Sequence, residues 1–138
     1  MVEREGIPLG GILASASPAE VKLAEETLNT INVKRVGKGR PKKRPKRLIA
    51  DKGYDSDPLR KRLKYLKIDL IVPHRHNRKK PKMQDGRKLR RYKRRWIVER
   101  TISWIGNFKR LLVRNEHKIE IYRAFFHLAC LVIVLKRF

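Results

Sequence analysis

The sequence predicts an α/β domain, because short apolar runs alternate with segments of helical periodicity. Its 138 residues, 41% of them hydrophobic, suffice for one core, so we expect residues 1–138 to form a single domain. The 37 Lys and Arg residues outnumber the 13 Asp and Glu residues, which gives a formal net charge of +24. A charge surplus this large repels itself, and nucleic acid is the usual polyanionic partner.

The elements are expected in the order strand, helix, strand, helix, strand, helix, helix. Residues 6–16, GIPLGGILASA, form an apolar segment that predicts the first extended element. Ser17 before Pro18, with Glu20 three positions after the serine, predicts a capping box. The helix that begins there is expected to end near Asn32.

The middle of the chain predicts a strand, a helix and a second strand. The run LIA at 48–50 is a short apolar strand. Asp57 is predicted to be the N-cap and Pro58 the first residue of the next helix. Residues 69–74, DLIVPH, predict a compact strand that ends at a proline. The apolar stripe of the intervening helix consists of Leu59, Leu63 and Leu66.

The C-terminal third predicts two helices, one from residue 89 to about 112 and one near 118–137. The second is apolar nearly all round, so we expect it to be buried against the sheet. Cys130 lies in its apolar run and is expected to be a core residue. The chain has no secretory pattern at its start and no membrane-spanning run, which favours a cytoplasmic protein.

Two segments, 34–47 and 75–88, are dense in cations and lack apolar periodicity, so we expect exposed basic loops. Either could be a solvated or localisation-like charge run, but the charge of the whole chain favours contacts with nucleic-acid phosphates. The candidate phosphate contacts are Lys42, Lys43, Arg44, Lys46 and Arg47 in the first loop and Arg75, Arg78, Lys79 and Lys80 in the second.

Three of the scarce acids, Asp51, Asp55 and Asp57, lie together in the decapeptide LIADKGYDSD. Capping accounts for Asp57, and Asp55 is expected to stabilise the turn or the same helix start. Asp51 directly follows the predicted strand, at the end where α/β folds place ligands. Its carboxylate is therefore a candidate metal ligand, the alternative being one more turn aspartate.

Glu99 is the only acid between Asp85 and Glu116. On a continuous helix, Tyr92, Arg95 and Glu99 are three and then four residues apart and share one face. A simple helix salt bridge between Arg95 and Glu99 would explain why Glu99 is present, but not why the other residues of this face accompany it. Arginines beside a metal-binding carboxylate would instead hold the phosphate that reacts.

These residues carry a resemblance to a known family. The pairing of ADKGYDS with the Tyr92, Arg95 and Glu99 spacing resembles the C-terminal half of a bacterial insertion-sequence transposase of the DDE type. The resemblance runs from GIPLGGILASA to the end of the chain. It implies a partial ribonuclease-H-like fold, in which a short central sheet is flanked by helices and the early strands are missing.

The resemblance also implies residue roles. Asp51 matches the second catalytic aspartate of the family and Glu99 its catalytic glutamate, and both would bind metal. Tyr92 and Arg95 match the signature residues before that glutamate. The signature lysine seven positions after the glutamate is replaced by Gly106, and the nearby candidates for the DNA contact are Lys109 and Arg110.

The implied activity is metal-dependent cleavage and transfer of DNA strands, with two Mg²⁺ or Mn²⁺ ions in the complete enzyme. No residue here matches the first catalytic aspartate, so we expect the chain alone to be inactive or weakly active. It would be a second reading frame, a frameshift product or a decayed remnant in the bacterial nucleoid. The implied partners are element ends, target DNA and an upstream-frame polypeptide, and oligomers are conceivable.

A different class remains open, a non-enzymatic basic protein that binds nucleic acid through its loops. It accounts for the charge but not for Asp51 after a strand or Glu99 on an arginine-rich helix. Trp96 and Trp104 are expected to lie in the core, with stacking on unpaired bases as the alternative. The two histidines of the second loop, His74 and His76, are expected to line a DNA-facing loop and not to bind metal.

Overall fold

The computed structural model describes residues 1–15, 20–84 and 86–137. They fall into two compact units: a strand unit, Ala14–Arg95, and a helical unit, Met1–Leu13 with Trp96–Phe138. The regular elements are α1 (Glu20–Asn29), β1 (Arg47–Ile49), a 3₁₀ helix (Lys52–Tyr54), α2 (Asp57–Tyr65), β2 (Asp69–Ile71), α3 (Gly86–Leu89), a second 3₁₀ helix (Arg90–Arg95), α4 (Trp96–Gly106), α5 (Lys109–Leu112) and α6 (Ile119–Leu135).

The strand unit is built around β1 and β2, which pair in parallel with Leu48 opposite Leu70. Parallel strands need a crossover connection, and α2 supplies it. Its Leu59 and Leu63 are buried together with the whole apolar run of β2 and with one face of α1. Helices and a short sheet thus share one chain, which confirms the predicted α/β class.

The start of α2 differs from the prediction. Ser56, not Asp57, is the N-cap, and its hydroxyl accepts from the Leu59 N–H at 3.5 Å. Asp57 is the first helical residue, where its charge still favours the helix N-terminus. Its carboxylate is used by a cation instead, since Arg78 Nη1 lies 2.8 Å from Asp57 Oδ1. The presence of Asp57 in the decapeptide is therefore explained by its ion pair with Arg78 and not by N-capping.

The first predicted strand is absent from residues 6–15, which form no regular strand. Val2 and Pro8 instead form an isolated antiparallel bridge around a turn at Glu3 and Gly6. The predicted cap at Ser17 and Pro18 lies outside the described residues. The helix that it was expected to start, α1, ends three residues earlier than predicted, at Asn29.

The single helix predicted for residues 89–112 is broken into four pieces. Its first residue, Leu89, is the last residue of α3, which also takes in the last three residues of the predicted basic loop 75–88. A 3₁₀ segment follows at Arg90–Arg95, then α4 and α5. An α-helix in a protein is stabilised mainly by burying an apolar face, and RRYKRR offers only Tyr92 for that purpose.

The prediction that α6 is buried is wrong, because most of its residues are exposed or half-buried. Helix α6 packs on α4 and α5 within the helical unit and buries only Ala129 and Ile133 fully. Cys130 is half-buried, and burial raises the pKa of its thiol. Among the described helices, none combines the length and hydrophobicity that crossing a bilayer requires. The exposed apolar side chains of α6 are Ile121, Leu128, Leu131 and Leu135.

The N-terminal turn docks on α4 through Gly6. The buried Thr101 hydroxyl lies 2.8 Å from the Gly6 carbonyl, and Arg100 Nη2 donates to the Glu5 carbonyl at 2.8 Å. Gly6 has φ +87°, in the left-handed region. A β-carbon at this position would lie 3.0 Å from Thr101 Oγ1 and 3.2 Å from the Trp104 ring. Both the backbone angle and the close approach therefore require glycine.

We expect Gly6→Ala to lower the free energy of unfolding of the helical unit by about 1–3 kcal/mol, because it adds both backbone strain and a clash. Tryptophan fluorescence during urea unfolding reports on this unit, since Trp96 and Trp104 both belong to it. Gly106→Ala is the control, as a β-carbon there meets nothing within 4 Å. Equal stability of the two variants would contradict this account of the turn.

Candidate functional site

Asp51 follows β1 directly and lies at the carboxyl end of the parallel pair, as the sequence predicted. It caps the short 3₁₀ helix, and its Oδ1 accepts from the Lys52 N–H at 2.7 Å. The Tyr92 hydroxyl donates to the same oxygen at 3.1 Å. The side chain is exposed, so its carboxylate is held in place without being enclosed.

The surroundings of Asp51 keep it ionised. The hydrogen bond from the Lys52 N–H contributes most to lowering the pKa of the Asp51 carboxyl below its ordinary value. Burial acts in the opposite direction as the second-largest effect, and the Tyr92 hydroxyl with the positive charges of Arg95 and Lys52 adds to the lowering of the pKa. A carboxylate that stays charged at acidic pH is a suitable ligand for a hard divalent cation.

Tyr92 and Arg95 lie on the 3₁₀ helix Arg90–Arg95 and not on one α-helix with Glu99, as was predicted. Residues three apart eclipse in a 3₁₀ helix, and Arg95 Cζ indeed lies 6.0 Å from the centre of the Tyr92 ring. Glu99 is exposed in the first turn of α4, in the helical unit. The structure thus places Tyr92 and Arg95 with Asp51 in the strand unit.

Among the described acids of the strand unit, Asp55 accepts the most hydrogen bonds, and its side chain is only 2% exposed. Arg60 of α2, itself 7% exposed, donates to Asp55 Oδ1 from Nη2 at 2.9 Å. His74 Nδ1 lies 3.1 Å from the same oxygen, and the Arg75 N–H donates to Oδ2 at 3.0 Å. This carboxylate therefore joins α2 to the segment after β2.

Burial alone raises the pKa of Asp55, but the hydrogen bonds outweigh it and the pKa lies below the ordinary value. The bonds that lower it come from the Arg75 N–H, the Arg60 guanidinium and the His74 ring. His74 Nε2 accepts from the Met83 N–H at 3.1 Å, so Nδ1 carries the proton that is shared with Asp55. His74 is thus a structural residue of this network, not part of a metal pair with His76.

From the sequence, Asp55 was expected only to stabilise the turn or the start of α2, and Arg60 was assigned no role. A signal was present, since Arg60 lies three positions before Leu63 and so shares the buried face of α2. An arginine on an apolar face needs a carboxylate partner. Arg60 also donates to the Val72 carbonyl at 2.8 Å and to Gln84, which completes its hydrogen bonding.

The cations of the second predicted basic loop divide into two kinds. Arg75 Nη2 donates to the Gly53 carbonyl at 2.9 Å, and Arg78, only 12% exposed, forms a two-pronged pair with Asp57. These two arginines hold the loop on the 3₁₀ helix and on α2. Lys79 and Lys80 are exposed, the latter 3.8 Å from Asp57. Of the four candidate contacts in this loop, the two lysines are therefore the ones exposed to a partner.

In the first predicted loop every candidate cation is exposed. The backbones of Val33 and Lys42 exchange hydrogen bonds of 3.0 and 2.8 Å, and the Asp69 N–H donates to the Lys46 carbonyl at 3.0 Å where the loop enters β1. The side chains are thus presented to solvent from a partly ordered backbone. They are Lys42, Lys43, Arg44, Lys46 and Arg47.

In the helical unit, Lys109 is exposed at the start of α5. Arg110 pairs with the buried Glu116 at 2.6 Å and lies over the Phe125 ring, with Cζ 5.2 Å from its centre. The Arg110 hydrogen bond is the main cause of the lowered pKa of Glu116. The Arg110 guanidinium is therefore used within the fold, where it stabilises the packing of α5 on α6.

The expectation that Trp96 is a core residue is wrong, since it is 52% exposed. The Arg100 guanidinium lies between the Trp96 ring at 4.8 Å and the half-buried Trp104 ring at 4.7 Å. The three residues are four apart on α4, which places them in one row. Arg137, which follows α6, also contacts this row, since its Cζ lies 4.4 Å from the centre of the Trp104 ring.

Within the described part of the chain, no group of three or more His, Cys, Asp or Glu side chains is arranged to hold a metal ion. Of the carboxylates that the sequence singled out, Asp51 belongs to the strand unit and Glu99 to the helical unit. The donor chemistry fits a hard divalent cation, since both are exposed oxygen ligands. Two carboxylates make only part of the ligand set that such an ion needs.

Comparison with known families confirms the class of protein that the sequence resemblance predicted, a transposase of the DDE type. Residues 1–135 match the family described as transposase DDE domain, and the chain belongs to that family. Its members transfer DNA strands with the help of divalent metal ions.

A specific relative is a candidate transposase for insertion sequence element IS402 of Burkholderia cepacia. It is 33% identical over 133 residues, which cover 96% of this chain and 59% of the relative. The chain thus spans about three-fifths of the length of the curated protein that it matches. No solved structure matches the chain.

Proposed function

We propose that this chain carries the second and third catalytic carboxylates, Asp51 and Glu99, of an insertion-sequence transposase. The complete enzyme would cut element ends and join them to target DNA, with Mg²⁺ or Mn²⁺ bound by these carboxylates. The observation that carries the proposal is the exposed, ionised Asp51 at the end of β1, bonded to the signature residue Tyr92. A non-enzymatic protein that binds nucleic acid through basic residues does not require a carboxylate held in this way at the end of a strand.

Bound divalent cations would supply an activated water or 3′-hydroxyl and stabilise the leaving oxygen. Within the described residues both hydrogen bonds to Asp51 reach Oδ1, which leaves Oδ2 for a cation. Tyr92 fixes the orientation of the carboxylate, and Arg95 beside Tyr92 adds positive charge for a DNA phosphate. The remaining ligands, the first catalytic aspartate included, would come from outside these residues.

The DNA contact is proposed to be largely electrostatic. The exposed cations of the first loop, with Lys79, Lys80 and Lys109, are the proposed phosphate contacts. Arg75, Arg78 and Arg110 are left out, because their guanidinium groups are used within the fold. Affinity for DNA should then fall steeply as salt is added.

The proposal is tested by Mn²⁺, whose unpaired electrons broaden NMR signals of nearby amides. We expect titration into the ¹⁵N-labelled protein to broaden the amide signals of Lys52 and Arg100 first, next to the two carboxylates. Excess Mg²⁺ should restore both signals, because the two ions compete for the same oxygen ligands. The double variant Asp51→Asn, Glu99→Gln should lose the effect.

The control is the double variant Glu25→Gln, Glu120→Gln. It removes the same charge from an acid of each unit, and Glu120 lies in the first turn of α6 as Glu99 does in α4. The control should broaden like the wild type. Unchanged broadening in the Asp51 and Glu99 variant, or none in the wild type, would favour a basic protein that only binds nucleic acid.

A further inference from the structure

In the strand unit, the described residues that line one cleft are all cations. Its cavity volume is about 440 Å³, and it lies along α3 and the 3₁₀ helix that follows. We call it the cationic cleft. Its lining residues are Arg87, Lys88, Arg90, Arg91 and Arg94, none of which was singled out by the sequence as a contact.

The charges of the cationic cleft are only partly compensated. Lys88 Nζ lies 2.7 Å from Asp69 Oδ1, a pair that ties α3 to the start of β2. Across residues 1–15, 20–84 and 86–137, no carboxylate forms a salt bridge with Arg90, Arg91 or Arg94. Like charges held side by side destabilise a helix, and an anion in the cleft would relieve that repulsion.

The 3₁₀ geometry sets the cationic cleft beside Asp51. Three residues complete a turn, so Arg91 and Arg94 lie on one face and Tyr92 and Arg95 on the next. The second face reaches Asp51, through the Tyr92 hydroxyl at 3.1 Å. One short helix thus presents a row of guanidinium groups on the face adjoining the one that orients the proposed metal ligand.

The lining determines the class of ligand. Guanidinium groups bind phosphate oxygens with two parallel hydrogen bonds, and four of the five lining side chains are arginines. Among the described residues no aromatic side chain lines the cleft, so the described lining offers no aromatic ring for a base. Its volume falls within the range of ligand pockets, larger than a single ion requires. These features fit a stretch of sugar–phosphate backbone.

We infer that the cationic cleft is a sequence-independent binding site for the DNA backbone next to the reacting phosphate. This inference rests on the proposed function for the identity of the polyanion. Contacts of this kind fix the register of a protein on DNA without reading its sequence. Arg90, Arg91 and Arg94 are then positioning residues. They bind the DNA backbone, and Asp51 binds the divalent cation at the reacting phosphate.

The test compares two triple variants with equal loss of charge. Arg90→Gln, Arg91→Gln, Arg94→Gln removes the cleft, and Lys22→Gln, Lys61→Gln, Lys64→Gln removes three exposed cations of α1 and α2 in the same unit. Binding of a fluorescent 20-base-pair duplex is measured by anisotropy over a series of NaCl concentrations, with EDTA present. The slope of log K against log salt counts the phosphate contacts.

We expect the cleft variant to lower the magnitude of that slope by about 2–3, and the control by less than about 1. The single change Arg94→Gln, gentler for folding, should lower it by about 1. Inorganic tripolyphosphate should displace DNA from the wild type at lower concentration than from the cleft variant. Far-UV circular dichroism confirms that the variants are folded.

Equal slopes for the two triple variants, or no change in Arg94→Gln, would overturn the inference. EDTA removes divalent metal, so the assay does not depend on the catalytic proposal. If the cleft variant lowers the salt slope but Mn²⁺ does not broaden the expected signals, the cleft binds DNA and the proposed metal site is wrong. If Mn²⁺ broadens those signals but the two triple variants have equal slopes, the metal site stands and the inference about the cleft is wrong.

Discussion

Replacing Asp55 by asparagine is expected to lower the free energy of unfolding by about 3–5 kcal/mol. The side chain is buried among Arg60, His74 and the Arg75 N–H, all of which donate to it. An asparagine has one acceptor oxygen and turns its amide donors towards another donor. It also leaves the buried Arg60 charge without its carboxylate partner. Urea unfolding followed by far-UV circular dichroism measures the loss.

The matched control is Asp69→Asn. Asp69 also belongs to the strand unit and also pairs with a cation, Lys88, but both side chains are more than a third exposed. An exposed pair contributes about 0–1 kcal/mol, so this variant should remain close to the wild type. If Asp55→Asn were as stable as the control, Asp55 would not organise the unit.

Acid provides a second measurement of the same network. The pKa of Asp55 is lowered in the folded state, so its contribution to stability is fully present above the unfolded value of about 3.9 and is lost as pH falls through the folded pKa. Asp51, Asp57 and Glu116 also have lowered pKa values and add to the loss in acid. The wild type should therefore lose more stability below about pH 4 than Asp55→Asn does. Parallel pH profiles would contradict this.

Local patterns predicted the part of the fold that surrounds Asp51. An apolar run, a helix with leucines four apart and a second apolar run specify a parallel pair with a crossover helix. The carboxyl end of the first strand then follows from chain direction alone, and Asp51 lies there. Its hydrogen bond to Tyr92, 41 residues away, agrees with the pairing of motifs that the resemblance required.

Side-chain partners distant in the chain account for what the sequence did not predict. The decapeptide gathers acids for three different partners: Tyr92 for Asp51, Arg60 for Asp55 and Arg78 for Asp57. Spacing within ten residues carries no information about those partners. The turn at Gly6 likewise depends on Thr101, 95 residues away, and so reads as a plain apolar segment.

The helix predicted for residues 89–112 failed for a different reason. Its apolar positions at Leu89, Tyr92 and Trp96 satisfy a helical period, but periodicity counts positions and not charge. Residues Arg90–Arg95 hold five cations in six positions, and their repulsion opposes a regular α-helix. Tyr92 and Arg95 therefore lie on a 3₁₀ segment and Glu99 on α4, and arginines of the same 3₁₀ segment line the cationic cleft.

The largest functional effect is expected from Asp51→Asn in a complete element. Under the proposed function, transposition frequency measured in cells from a donor plasmid should fall by at least about 10³-fold, or about 4 kcal/mol. Asparagine still offers an oxygen to the Lys52 N–H and the Tyr92 hydroxyl, so the local fold is retained. What it lacks is the negative charge that a divalent cation needs. Glu99→Gln should have a comparable effect for the same reason.

The decisive comparison is with two acidic residues that are not proposed to bind metal, Glu25 and Glu120. Glu25→Gln breaks only an exposed pair with Arg62, and Glu120→Gln changes an exposed glutamate in the first turn of α6, so both should transpose at near wild-type frequency. DNA binding in EDTA should be unchanged in all four variants, because phosphate contacts are made by cations. A variant that binds DNA normally but does not transpose assigns the lost charge to chemistry. If Asp51→Asn transposed like Glu25→Gln, Asp51 would be no more than the cap of a 3₁₀ helix.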